Sequence, residues 1–339
     1  MQRESADRKP RFRVDGVVEV PAFELPPSPF SSAEAQAMQA MRAKGVGGVP
    51  RTDLDIAAVR ADLEVMLAPQ VAKMREIYPA NIVEQSIGGI TTHMVTPQDG
   101  SFDKIRVLIN LHGGGFTMCA EACALLESIP VAVLGGYKVV TVDYRMAPEA
   151  THPAAVQDLE TVYRELLKDY GAKHIGIFGC SAGGSLTAQA TAWLPTRGLP
   201  LPGAIGIFGA GGVRFLAGDS AHITAYIDGS FPAPSGPNER PVVIGQDYFE
   251  GWDIDDPSVS PALHLDVVGQ FPPTLIITGT RAMDLSPAVF TNSQLIKAGV
   301  NSTLIVGEAM GHCYIYQAQL PEARDAHQAI VNFFRTHLA

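Results

Sequence analysis

The chain of 339 residues is 46% apolar and 18% charged and carries a formal net charge of −10. That apolar share excludes a disordered chain, and four cysteines without a CxxC pair exclude a disulfide framework and a structural zinc site. The acidic balance excludes a nucleic-acid surface, which needs clustered Lys and Arg.

Residues 1 to about 30 are Pro-rich and of mixed charge, and read as an irregular arm. No apolar stretch follows their basic residues, so a secretory leader is not expected. Apolar runs such as 129–135 are far shorter than the ~20 residues of a membrane helix. The expectation is a cytoplasmic protein with no membrane partner. Its Cys119, Cys123, Cys180 and Cys313 are then reduced and act as small buried apolar residues. Ser31 and Ser32 cap a run with helical spacing, Ala35, Met38, Met41 and Ala43, with Glu34 in its first turn. Met38 and Met41 read as the apolar face of a cap helix that lines an acyl pocket. A second helical run spans 54–77, with Val59, Leu63, Met66 and Leu67 on one face.

After Pro79 strands and helices alternate. A strand pair is predicted over 83–96. Single strands are predicted over 105–111 (IRVLINL), 138–143, 174–178 (HIGIF), 204–208, 274–278 (TLIIT) and 302–306. Helices are predicted over 156–169, 184–193, 289–298 and from 322 to about 338. Strands apolar on both faces and alternating with helices imply an α/β fold, a mostly parallel sheet covered on both sides. Segment 211–251, rich in Gly, Pro, Ser and aromatics, breaks the rhythm and reads as an insertion over the sheet. Its Phe215, Tyr226, Phe231 and Tyr248 are candidate lid or pocket walls.

The strongest chemical signal is Gly179-Cys180-Ser181-Ala182-Gly183-Gly184, between the strand HIGIF and the helical run that follows. This is G-x-S-x-G in strand–turn–helix context, a nucleophile elbow. A Ser forced into strained backbone angles there projects its hydroxyl above the sheet, and Gly on either side leaves room for the turn. The second signal is His112-Gly113-Gly114-Gly115-Phe116, directly after IRVLINL. Successive glycines let backbone N–H groups face a carbonyl oxygen, as an oxyanion hole requires. No Lys-Ser/Thr follows, so a phosphate loop is not indicated. His112 reads as a brace for this loop. Of nine His, only His312 follows a late sheet strand at its C-terminal end, where the sites of open α/β sheets lie. It completes the chain order Ser, acid, His. The acidic group Asp253, Asp255 and Asp256 reads as a solvated turn rather than a metal site.

These residues resemble the hormone-sensitive-lipase-like carboxylesterases, bacterial family IV of the α/β-hydrolases. The resemblance covers about residue 105 to the end. It rests on HGGGF at 112–116, DYRMAPEATHPAA at 143–155, GCSAGG at 179–184 and GH at 311–312. It implies an α/β-hydrolase fold with a helical cap, Ser181 as nucleophile and His312 as base. Gly114, Gly115 and Ala182 are then the oxyanion donors and Gly113 a supporting turn residue. It also implies no cofactor or metal, short- to medium-chain esters as substrates, and a homodimer. The expected organisation is an arm and cap helices over 1–80 and a catalytic domain over 81–339, with 211–251 joining the cap.

Two positions depart from the family. The residue before the nucleophile, usually Asp or another polar residue, is Cys180. The acid, expected after the strand TLIIT, falls by gap-free counting on Ala282, which cannot orient an imidazole. Asp284, two residues on, is assigned as the acid, with Glu308 as its rival. A lactonase, amidase or peptidase would use the same triad. A non-catalytic binder on a hydrolase scaffold is the reading from another class.

Overall fold

The apolar runs assemble into one eight-stranded sheet in a computed structural model of the chain, which describes residues 9–41, 55–213, 215, 217–228 and 246–339. Of the sequence expectations, Ala43, Leu54, Phe231 and most of the centre of segment 211–251 lie outside the described residues. The arm carries a two-stranded pair, β1 (Arg11–Phe12) and β2 (Val18–Glu19). The sheet strands are β3 (Ala80–Ile87), β4 (Ile90–Pro97), β5 (Val107–Leu111), β6 (Lys138–Val142), β7 (Ile175–Cys180), β8 (Ala204–Phe208), β9 (Thr274–Gly279) and β10 (Ser302–Gly307). Their order is β10-β9-β8-β7-β5-β6-β4-β3. β4 pairs antiparallel with both β3 and β6; every other pairing is parallel.

The central strands are buried on both faces, which is why they read as unbroken apolar runs. Along β5, Val107, Ile109 and Leu111 enter one core cluster and Leu108 the other, as the period-two pleat requires. The first cluster is covered by α4 (Ala154–Leu166), α5 (Ala182–Thr196) and α8 (Leu285–Lys297). The second is covered by α3 (Ala122–Gly135) and α9 (Pro321–His337). The sequence pattern missed α3. Eleven of its fourteen residues are buried, so it lacks the polar stripe that marks a helix by periodicity.

Two N-terminal helices lie outside this second layer. In α1 (Ala33–Met41), Ser32 caps through Oγ, which accepts from Ala35 N at 3.1 Å, and it is tied to Glu322 of α9. In α2 (Ile56–Ile77), Val59, Leu63 and Leu67 pack on Met118, Cys119, Ala122 and Cys123. Met66 and Met41 do not share those faces; each is 62% exposed, whereas Met38 is partly buried against the core. The short α6 (Asp219–Ile227), in the 211–251 segment, and α7 (Leu265–Val268) both pack on α8.

The cysteines correct the sequence expectation. Cys119 pairs with Cys123 and Cys180 with Cys313, with Cα atoms 5.4 and 6.4 Å apart, so none is a free thiol. The second pair joins residues 133 positions apart, beyond the reach of any local spacing rule. Among the described residues no helix is long and apolar enough to cross a membrane.

Candidate active site

β7 ends in Cys180 and α5 begins at Ala182, leaving Ser181 as the single residue of the turn. Its backbone sits at φ 57°, ψ −123°, a region that L-residues rarely occupy. The flanking glycines make the turn possible. A Cβ on Gly179 would lie 2.1 Å from Leu111 O, and one on Gly183 would lie 1.7 Å from the same atom. The elbow is thus pressed against the end of β5, whose next residues form the glycine loop.

In that loop Gly114, Gly115 and Phe116 all have positive φ, at 108°, 63° and 59°. A Cβ on Gly114 would sit 1.9 Å from Met118 O, so only Gly fits. Its carbonyl accepts from Thr117 N and Met118 N, which closes the turn. The N–H groups of Gly114, Gly115 and Ala182 have no internal acceptor among the described residues; Ala182 directly follows Ser181, and a Cβ on Gly113, next to Gly114, would lie 3.4 Å from Ser181 Cβ. They can therefore receive an oxyanion. His112 is fully buried; its Nδ1–H donates to Gly113 O at 2.6 Å and its ring stacks on Tyr144 at 4.1 Å. Burial pushes its imidazolium down to about 4, so it is neutral near pH 7. Tyr144 OH also donates to His112 O at 2.7 Å, so the DYR segment holds the glycine loop from beneath.

His312 lies on the loop after β10. Its Nε2 is 3.0 Å from Ser181 Oγ and its Nδ1 is 2.7 Å from Asp284 Oδ1. Asp284 is fully buried, and its other oxygen accepts from Thr278 Oγ1 at 2.5 Å. This network selects the tautomer with Nδ1 protonated toward Asp284 and Nε2 accepting from Ser181 Oγ. Ala282 turns inward, fully buried, and two successive turns carry the chain past it. Ala282 N bonds Gly279 O and Leu285 N bonds Ala282 O. Asp284 stands at the N-cap of α8 but does not cap it; its carboxylate is spent on His312 and Thr278. Glu308 instead accepts from Ser28 Oγ at 2.8 Å, on the exposed side of its loop.

Several residues that hold this arrangement carried no sequence signal. Ser220 of α6 donates to Met283 O at 2.6 Å and accepts from Ser286 N, pinning the Asp284 loop from the insertion. Arg60 of α2 donates to Thr117 O and Ala147 O and pairs with both oxygens of Glu149, tying α2 to the segment after the glycine loop. The Cys180–Cys313 disulfide joins the residue before Ser181 to the residue after His312. Isolated polar and cysteine residues have no pattern to detect, because their partners lie tens of positions away.

A cavity of about 780 Å³ opens beside His312, between α1 and the end of α6. Met38, Gln39, Tyr226, Arg281 and Tyr316 are among its walls. Phe215 sets its ring edge-on to His312 at 5.4 Å. Tyr226 is 77% exposed, whereas Tyr248 is fully buried and stacks on Phe116, so it packs the core beneath the loop rather than walling a pocket. Asp253 and Asp256 accept from backbone N–H groups two residues on, as turn residues do.

Comparison with known proteins identifies the fold and the family. The family profile for the alpha/beta hydrolase fold matches residues 108–316. An acetyl-hydrolase of Streptomyces hygroscopicus is 30% identical over 262 residues, covering 76% of this chain and 83% of the relative. The crystal structure of esterase E25 superposes with a TM-score of 0.79 at 28% identity, over 95% of this chain and 99% of that one. An esterase from the bacterial hormone-sensitive lipase family superposes with a TM-score of 0.77 at 26% identity, over 91% and 99%. With a central parallel sheet, a strained serine after its middle strand and these relatives, the chain belongs to the α/β-hydrolase family, as an ester hydrolase of its hormone-sensitive-lipase-like branch.

Proposed function

We propose that this carboxylesterase works through Ser181, His312 and Asp284 on esters with short to medium acyl chains. The observation that carries the reading is the continuous relay from Ser181 Oγ to His312 Nε2 at 3.0 Å and from His312 Nδ1 to Asp284 at 2.7 Å. His312 takes the Ser181 proton as Oγ attacks the ester carbonyl, and the N–H groups of Gly114, Gly115 and Ala182 hold the resulting oxyanion. The imidazolium, stabilised by Asp284, then protonates the departing alcohol. Water enters, gives a proton to His312 and attacks the acyl-enzyme; as the second oxyanion collapses, Ser181 Oγ leaves and takes that proton back from His312, which frees the acid and restores the resting enzyme. Gly113 and His112 support the loop. No step calls for a cofactor or metal.

The short acyl range is supported by the acetyl-hydrolase relative. The organisation we propose is a cap built from 1–80 and 211–251 over the catalytic domain 81–339, supported by the contacts of Arg60 and Ser220 with the site loops. A homodimer through a free edge such as β10 is the quaternary reading, measured by light scattering. The compartment proposed from the sequence is the cytoplasm, and the disulfides supply its test. Thiols found free in cells agree with it; disulfides found intact place the protein in an oxidising compartment.

The deciding experiment is stopped-flow hydrolysis of p-nitrophenyl acetate, butyrate and octanoate. A burst of about one nitrophenol per chain is expected, abolished in Ser181→Ala. Full turnover by Ser181→Ala would overturn the assignment.

A further inference from the structure

Glu127 is an ionisable group that this mechanism does not use. It lies in the middle of α3, 2% exposed, and its hydrogen-bond partners are all uncharged donors. Oε1 accepts from Gly113 N at 2.9 Å and from Tyr316 OH at 2.6 Å. Oε2 accepts from Asn110 Nδ2 at 2.8 Å and from Cys180 N at 3.0 Å. These donors come from the end of β5, the glycine loop, the nucleophile elbow and the turn after His312. Gly113 immediately precedes Gly114, Cys180 immediately precedes Ser181, and Tyr316 follows His312 by four residues.

Burying a carboxylate without a cation is costly, and apolar residues surround this position on α3. Four donors converge on two oxygens, a set that the ionised carboxylate accepts in full and that Glu127 offers above about pH 7, the value to which burial pushes it. A glutamine amide would turn its own N–H groups toward two of them. No helix-packing need calls for a carboxylate here, whereas the glycine loop needs an acceptor for Gly113 N that leaves the next two N–H groups facing outward. A Cβ on Gly113 would lie 2.7 Å from Tyr316 OH and 3.4 Å from Ser181 Cβ, so loop, elbow and Tyr316 are packed at contact distance around this one acid.

We propose that Glu127 is a positioning residue for ester hydrolysis. Its carboxylate sets the oxyanion loop and the nucleophile elbow at their working separation, and Tyr316 extends the same brace to the His312 loop. The proposal rests on the assignment of Ser181 and of the N–H groups of Gly114, Gly115 and Ala182. Glu127 touches no reacting atom, so its effect falls on transition-state binding more than on substrate binding.

The test compares Glu127→Gln and Tyr316→Phe with the unaltered enzyme. Rates are taken per active site counted by the burst, so loss of folded protein does not enter. The readouts are kcat, KM and the affinity of a trifluoromethyl ketone, whose hemiketal oxyanion occupies the hole. For Glu127→Gln, kcat is expected to fall about 10- to 100-fold with KM within about threefold, and ketone affinity to fall by the same factor as kcat. Tyr316→Phe, which removes one donor of four, is expected to show the same signature at about 3- to 10-fold. It serves alone if Glu127→Gln does not fold. Unchanged kcat per site, or a rise in KM with kcat and ketone affinity unchanged, overturns the proposal. Ser181→Ala run in parallel separates the two readings: if it keeps full activity, the site assignment has failed, whatever Glu127 does.

Discussion

The two disulfides differ in what they close, and that difference predicts their worth. Cys180–Cys313 spans 133 positions and Cys119–Cys123 spans four. Loop-closure entropy of the unfolded chain gives about 5 kcal/mol for the long loop and about 2 kcal/mol for the short one. A chain of 339 residues has an unfolding entropy of about 0.7 kcal/mol per kelvin, so these values correspond to Tm changes of about 7 °C and about 3 °C. The assay is calorimetry of Cys180→Ser/Cys313→Ser beside Cys119→Ser/Cys123→Ser. The long-range pair should lower Tm at least twice as much. It should also lower kcat by about 10-fold, because it frees the two loops that meet in the 3.0 Å Ser181–His312 contact, our proposed path of proton transfer. Equal losses of Tm, or a larger loss from the short pair, would refute the loop-closure argument.

Asp284→Asn should lower kcat about 10⁴-fold by favouring the wrong imidazole tautomer, while Glu308→Gln should stay within about twofold; steady-state kinetics on one ester distinguishes them. Gly114→Ala should abolish measurable turnover, since its Cβ meets a backbone carbonyl at 1.9 Å and the loop must move; retained activity would show that the loop does not hold the oxyanion. Burial pushes Glu127 up to about 7. The folded protein then holds a proton that the unfolded chain releases above the ordinary carboxyl value, so this stabilisation is full below that value and is lost as pH rises through 7. Relative to Glu127→Gln, the unaltered protein should lose roughly 3 kcal/mol across that window and then level off. A Tm difference that is constant with pH would contradict this.

The Glu127 cluster and the disulfide hold the same residue, Cys180, from two directions. One braces the elbow to the glycine loop through Cys180 N, and the other bonds the elbow to the His312 loop through Cys180 Sγ. The residue before Ser181 is thereby covalently linked to the residue after His312.

Legibility followed the range of the interactions involved. The elbow and the glycine loop are local devices: steric clash allows only Gly at fixed offsets around a strained serine, so the motif is written in consecutive residues. The parallel sheet was readable for a similar reason, since strands buried on both faces must be apolar throughout. The all-round burial of α3 erased its periodicity. Gap-free counting fell on Ala282 and Asp284 was assigned in its stead; counting cannot see the two turns that bring Asp284 to His312. The disulfides and the four donors around Glu127 join segments up to 189 positions apart. Short-range order thus wrote the strained Ser181 elbow and the glycine loop, our proposed nucleophile and oxyanion hole, into the sequence. The acid's path, the disulfide bracing and the buried carboxylate were decided only when the chain closed on itself, because each depends on partners that packing alone brings together.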